Sequence, residues 1–419
     1  MIVRLCYILY IVCTIAYANQ IDDLIQESLN NNEKIKQLEY QIQALESKSR
    51  ADAKWDNPKL SILYNSAEVN KPLKLDSSEM QNISIGLIQN IDMNGKRKLK
   101  SNITRRQAQI KILELKNLKN QYSFSLIQNA INIYTKKQIL NFTQDSIENI
   151  DTLLRSLQAS NNFNAIQMQK LSLLKAKLEI KKNELENELE NSHISISEIS
   201  FGNIHQSNNS KNTTSMFNWD EINDNELESS NISQRYKIND QELIDTIMQS
   251  NYEIVAAKLQ DNISLDYIKV AKKEFISDLG VNLAYMLRVN RTDMFTIGFS
   301  MPIPMFGAER AKIEQANYEN LAQKSQTMEI SNRIKHNTMN LISKLKTLKE
   351  NLSIIDSTLI PANKNIIDIY KHHATSQSGA FIEFYTALNE QIEAQILRLQ
   401  TMADIAITYY NLQSLKGEI

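Results

Sequence analysis

The chain says the same thing twice. Leu24-Ile25, Asn32 and Ile35 return as Leu243-Ile244, Asn251 and Ile254, each displaced by 219 positions. Further along the displacement becomes 212, where Gly86, Ile91 and Gly95 meet Gly298, Ile303 and Gly307. A constant shift within each block, with one seven-residue step between blocks, is the trace of a duplicated unit from which a loop was trimmed. Each copy reads as helix, β-hairpin, glycine turn, very long helix, tight turn and long helix. Any fold must therefore hold this set of elements twice.

Four short segments break the helical pattern, and each alternates with period two. Leu60, Ile62 and Tyr64 make one apolar face, and Ile83, Ile85 and Leu87 the next. In the second half Val281, Leu283, Tyr285 and Leu287 alternate with Asn282, Ala284 and Arg288, and Phe295, Ile297, Phe299 and Met301 alternate with Thr296, Gly298 and Ser300. Apolar side chains on one side and small or polar ones on the other suit a barrel strand that faces lipid outward and water inward. An amphipathic soluble sheet would give the same alternation in any single segment. Four strands cannot close a barrel around an open lumen, since bacterial barrels start at about eight, so several chains must share one. Two chains would give eight strands and three would give twelve, and strand count does not choose between them.

From about Lys98 to Gln158, and again from about Ala308 to Ala374, almost nothing would stop a helix. Sixty helical residues reach roughly 90 Å, several times the width of an ordinary domain core. Leu341, Leu345, Leu348, Leu352, Ile355 and Leu359 step by four and three alternately, and Ile147, Ile150, Leu154 and Leu157 do the same. This 3.5-residue period predicts knobs-into-holes packing with left-handed supercoiling. The helices reverse at Ser160-Asn161-Asn162, followed by Phe163, and at Ser376-Gln377-Ser378-Gly379. Return helices run from Ile166 to about Glu190 and from Phe381 to about Leu415.

The expected organisation is a leader at 1–18, a first repeat at 19–200, an Asn- and Ser-rich linker at 201–237 and a second repeat at 238–419. The hairpins fall at 58–91 and 278–303, and the helical hairpins at 98–200 and 308–416. The leader has Arg4, an apolar run from Leu5 to Ile15 and Ala16-Tyr17-Ala18, the pattern of a cleaved secretory signal. That run is well short of the roughly 20 residues a spanning helix needs. Both cysteines, Cys6 and Cys13, lie within it, so the exported chain is expected to hold no thiol, disulfide or cysteine-ligated metal. A net charge of -1 argues against a nucleic-acid partner, which calls for a basic surface. Only 8 glycines and 5 prolines fit long uninterrupted helices.

At the glycine turns the residues resemble a known family. Asn57-Pro58 before the first strand, Ile91-Asp92-Met93-Asn94-Gly95-Lys96-Arg97-Lys98 after the second, and Met301-Pro302-Ile303-Pro304-Met305-Phe306-Gly307 after the fourth are similar to signatures of the TolC-type outer-membrane efflux family. The turn at Gly95, Lys96 and Arg97 most resembles the branch serving heavy-metal and drug exporters of the resistance-nodulation-division type. The resemblance implies a mostly α chain with a membrane β-barrel: a homotrimer with four transmembrane strands per chain, one twelve-stranded barrel and a twelve-helix coiled-coil tunnel through the periplasm. It implies passive conduction of substrate delivered by an inner-membrane pump and a periplasmic adaptor touching the helical tips, with no cofactor and no catalytic residue. The absence of phosphate-binding loops agrees. Lipid attachment, frequent in the metal branch, needs a cysteine where this chain has Asn19. Aspartates often ring the family's tunnel entrance, yet here Lys371, His372, His373 and Glu383 surround the second turn and no aspartate falls between 369 and 403.

Adjacent histidines on a helix point about 100° apart, so His372-His373 make a poor pair of metal ligands. The 13 methionines are scattered, which suits core packing better than copper binding. Leu359-Ile360-Pro361 reads either as a packing kink or as a hinge that lets the tip swing. Within the resembled family the alternative function is the outer partner of a type I protein secretion system. Outside it, the alternative is a periplasmic coiled-coil adaptor or scaffold. An enzyme is disfavoured, since no convergent acid, base, nucleophile or metal cluster stands out.

Overall fold

The computed structural model describes residues 25–67, 69–70, 78–159, 165–200, 239–371 and 378–419. The leader, the linker at 201–237, His372-His373 and the turn residues Ser160, Asn161, Asn162, Phe163, Ser376 and Gln377 lie outside these. In order come α1 (Glu33–Asp52), β1 (Lys59–Asn65), β2 (Asn82–Ile91), α2 (Lys96–Ala159), α3 (Ala165–Ser200), α4 (Asp240–Ser250) and α5 (Tyr252–Glu274). Then follow β3 (Leu279–Leu287), β4 (Met294–Ser300), α6 (Ala308–Ile354), a π-helical turn (Ile355–Leu359), α7 (Ile360–Lys371) and α8 (Ser378–Lys416). Among the described residues, no helix is long and apolar enough to cross a membrane.

Two compact units form, and each draws on both sequence halves. One comprises Gln37–Leu115 and Tyr252–Ser331, with the sheet and the helix ends next to it. The other comprises the described residues within Met1–Lys36, Lys116–Asn251 and Asn332–Ile419.

In the sheet-bearing unit, Ile103, Ile263 and Val270 are buried together, with Leu99 and Ile110 against them. Polar positions among these helices are satisfied across them. Ser101 Oγ donates to the Ser49 carbonyl at 2.7 Å, Thr104 Oγ1 to Asp52 at 2.6 Å, and Asn320 Nδ2 to Ser264 Oγ at 2.6 Å. Arg106 pairs with Asp266, whose side chain is only 6% accessible, so the buried carboxylate keeps a partner.

The part of α2 in the second unit, from Lys116 onward, runs without proline or glycine. Ile150, Leu157, Leu171, Leu174, Leu178, Phe381, Phe384 and Ile392 form one core cluster, with Ile147 and Leu154 packed on it, as the heptad spacing requires. Ala130, Ile133, Leu189 and Ile196 form another. Buried helix hydroxyls turn back on their own backbone: Thr143 to Ile139 at 2.7 Å and Thr338 to Ile334 at 2.9 Å.

The arm α6–π–α7 departs from the heptad reading at one residue. Leu345, Leu352 and Ile355 are buried as expected, but Leu359 is 37% exposed. Pro361 has no N–H for the carbonyl of Ser357, and its ring would crowd that turn. The chain answers with a wider turn in which the Ile360 N–H reaches the Ile355 carbonyl, i to i−5. The extra residue advances the helical phase, so Leu359 swings outward and Asn363 becomes buried. The Asp356 carboxylate, inside this turn, accepts from Arg398 Nε on α8 at 2.7 Å.

The duplication is visible in the backbone. α2 spans 96 to 159 and the second arm spans 308 to 371, bounds that differ by the same 212 that relates Gly95 to Gly307. Asn32 and Asn251 both interrupt helices. Asn32 Oδ1 accepts from the amides of Lys34 at 2.8 Å and Ile35 at 3.2 Å, whereas Asn251 Nδ2 donates to the Leu415 carbonyl at 2.8 Å.

Candidate functional site: the four-stranded sheet and its basic turn

The strands join in one antiparallel sheet in the order β1-β2-β3-β4. Register fixes which residues share a face. Leu60 pairs with Leu87, Leu87 with Leu283 and Leu283 with Ile297; Ile62 pairs with Ile85, Ile85 with Tyr285 and Tyr285 with Phe295. Tyr64 lies opposite Ile83, Ile83 opposite Leu287, and Val281 opposite Phe299. Cross-strand partners project to the same side, so the apolar alternation of all four strands merges into one continuous surface. Leu60, Ile62, Ile85, Leu87, Leu283, Tyr285, Phe295, Ile297 and Phe299 are between 41% and 70% exposed; Ile83 and Val281 are half-buried. A soluble protein rarely leaves so large an apolar patch bare.

The opposite side carries the rows Ser61–Gly86–Ala284–Thr296 and Leu63–Ser84–Met286–Met294. Here Ser84 and Ala284 are buried. Ser61 Oγ donates to the Gly86 carbonyl at 3.4 Å and lies 2.7 Å from where a Cβ on Gly86 would stand, so a side chain there would have to displace it. Among the described residues, β1 and β4 are edges, each paired on one side only.

The strand-to-helix turns carry the remaining signature residues. Gly95 and Gly307 both sit in the left-handed region, at φ +71° and +76°, immediately before α2 and α6, a conformation that costs glycine nothing. Asp92 completes the first turn: its Oδ1 accepts from the amides of Asn94 at 3.2 Å and Lys96 at 3.1 Å, and its Oδ2 from the amide of Arg97 at 3.0 Å. The amides of Lys96 and Arg97 are donors that the start of a helix otherwise leaves unpaired. Burial acts to raise the Asp92 pKa, but the three amides and the Arg97 side chain overcome it and hold the pKa at about 2.

Lys96 and Arg97 do not form an open basic patch. Lys96 is 9% exposed and pairs with Asp278 at 2.9 Å. The Arg97 guanidinium lies 3.5 Å from the centroid of the Trp55 ring. Asn94 Nδ2 donates to the Lys273 carbonyl at 2.8 Å while Lys273 Nζ donates to the Asn94 carbonyl. Lys100 pairs with Glu274 at 3.2 Å. The basic turn after β2 is thereby clamped to the segment entering β3. Trp55, Glu274 and Asp278 were not singled out in the sequence; the Lys/Arg run needing counter-charges was the available signal. In the second turn Pro302 is exposed and Pro304 half-buried, and Pro304 stands where the first turn has Asp92. Ser378 and Gly379 begin α8. Among the described residues no group of three or more His, Cys, Asp or Glu could hold a metal ion.

No family model and no curated sequence matches the chain. Solved structures do. CusC, studied for its folding and transmembrane channel formation, superposes with a TM-score of 0.75 at 15% identity over 95% of this chain and 92% of that one. A membrane protein from Pseudomonas aeruginosa gives 0.75 at 12% over 95% and 92%. The outer membrane protein VceC from Vibrio cholerae gives 0.75 at 10% over 95% and 96%. Identities this low establish the fold, and over nearly its whole length the chain has the fold of the TolC-type outer-membrane channels.

Proposed function

We propose that three copies of this chain form a channel in the outer membrane, extending into the periplasm, as the outer component of a tripartite efflux system. It conducts passively, taking substrate from an inner-membrane pump through a periplasmic adaptor. The observation that carries the reading is the bare apolar face of a sheet open at both edges. In water that face is costly; against lipid it is the required surface, and unpaired ladder groups within lipid demand a neighbouring strand. Joining β4 of one copy to β1 of the next satisfies both needs, and three copies give about the twelve strands that enclose a lumen. The likeness to outer-membrane channels supports the same assignment.

The test is to fractionate expressing cells and measure the oligomeric mass after mild detergent extraction of the outer membrane. A trimer there is the expected result. A soluble periplasmic monomer would overturn the channel reading and favour an adaptor.

A further inference from the structure

The four strands contain a single ionisable charge of the Asp, Glu, Lys or Arg kind, and it is Lys59, the first residue of β1. Register places it in the row Lys59–Ile88–Asn282–Gly298, on the side of the sheet opposite the apolar face. Two residues on, Ser61 shares that side, where small side chains prevail. Lys59 is exposed. The carboxylates at the adjoining strand ends are committed elsewhere: Asp92 to the amides of Asn94, Lys96 and Arg97, and Asp278 to Lys96 at 2.9 Å. Asp56, in the segment leading to β1, is exposed to water, which screens it.

We infer that Lys59 sets the charge preference of the strand-lined conduit, favouring neutral and anionic solutes over cations. This rests on the trimeric channel reading. Three copies then bring three ammonium groups to the helix-proximal end of a lining whose strands supply no carboxylate. A site that gathers metal cations would need the reverse, oxygen or thiolate ligands facing inward. The solute class implied is organic and uncharged or acidic.

The test uses Ser61→Cys as a reporter in outer-membrane preparations of the full chain, with the chain lacking that cysteine as background. Labelling rates are measured with an anionic sulfonatoethyl and a cationic trimethylammonioethyl methanethiosulfonate. One charge about 10 Å away in water changes the local concentration of a monovalent ion roughly twofold, so the anion-to-cation rate ratio should be about fourfold higher with Lys59 than with Lys59→Gln. Lys59→Glu should invert the preference, and added salt should shrink all three differences. Leu60→Cys, on the other face, should not follow residue 59. A ratio at Ser61→Cys indifferent to residue 59, or no labelling by either reagent, overturns the inference. Trimer mass measured on the same membranes separates the two claims: trimer with an indifferent ratio leaves the channel standing without this filter, and absence of trimer sinks both.

Discussion

Replacing Asp92 by asparagine keeps shape and one acceptor oxygen while removing the charge that three amides and Arg97 converge upon. The carboxylate's pKa falls from 3.8 to about 2 on folding, and only 6% of its side chain is accessible, so solvent screening takes little away. At about 1.4 kcal/mol per pKa unit, the charged form contributes roughly 2 kcal/mol to the folded state. The folded value is depressed, so this contribution is fully present above the unfolded pKa and disappears as pH falls from about 4 to about 2. Denaturant unfolding of the detergent-solubilised protein, followed by far-ultraviolet circular dichroism, should place Asp92→Asn roughly 2 kcal/mol below the parent at neutral pH. The two curves should converge as pH approaches 2. A penalty under about 0.5 kcal/mol at neutral pH, ordinary for a surface change, would refute the cap. So would a penalty that stays constant down to the acid limit.

Three other outcomes are expected. Leu283→Arg or Ile297→Arg should cost roughly 2 to 4 kcal/mol near the membrane midplane and deplete assembled protein from the outer membrane, whereas Thr296→Arg should leave assembly standing and alter conductance in planar bilayers. Leu352→Ala should lower stability by about 2 to 5 kcal/mol and Leu359→Ala by under about 0.5 in thermal unfolding; equal losses would mean that the π turn does not shift the phase. Trp55→Ala should lose about 1 to 2 kcal/mol, including the cation–π contact with Arg97, and Trp55→Phe should recover part of it in the same assay.

The sheet was legible because period-two alternation reports directly on which side of a strand a residue takes. Ile85 and Tyr285 need only parity to be assigned to a face, and pairing then merges the faces. The α2 heptads were legible for the same reason with a different period. Leu359 was not, because the 4-3 spacing continues unbroken up to Pro361 and a phase slip changes no residue identity. The unbroken spacing puts the next core position at the apolar Ala362, and the π turn buries Asn363 in its place. The clamp at the basic turn escaped because Lys96 and Asp278 are far apart in the chain, and a Lys-Arg run looks alike whether solvated or paired. His372-His373 and the turn at Ser160-Asn161-Asn162 lie outside the described residues.

The two open edges of the sheet bear on how stability should be measured. Each of β1 and β4 presents a row of ladder groups that a lone copy leaves for another strand to satisfy. In the proposed trimer, completing the sheet is an association step, and the free energy of the strand region belongs partly to the complex. Mass action follows: an unfolding midpoint for this protein should climb with its own concentration, and dilution should act as a denaturant of the sheet before it touches the helical core. A value obtained at one concentration describes that concentration alone.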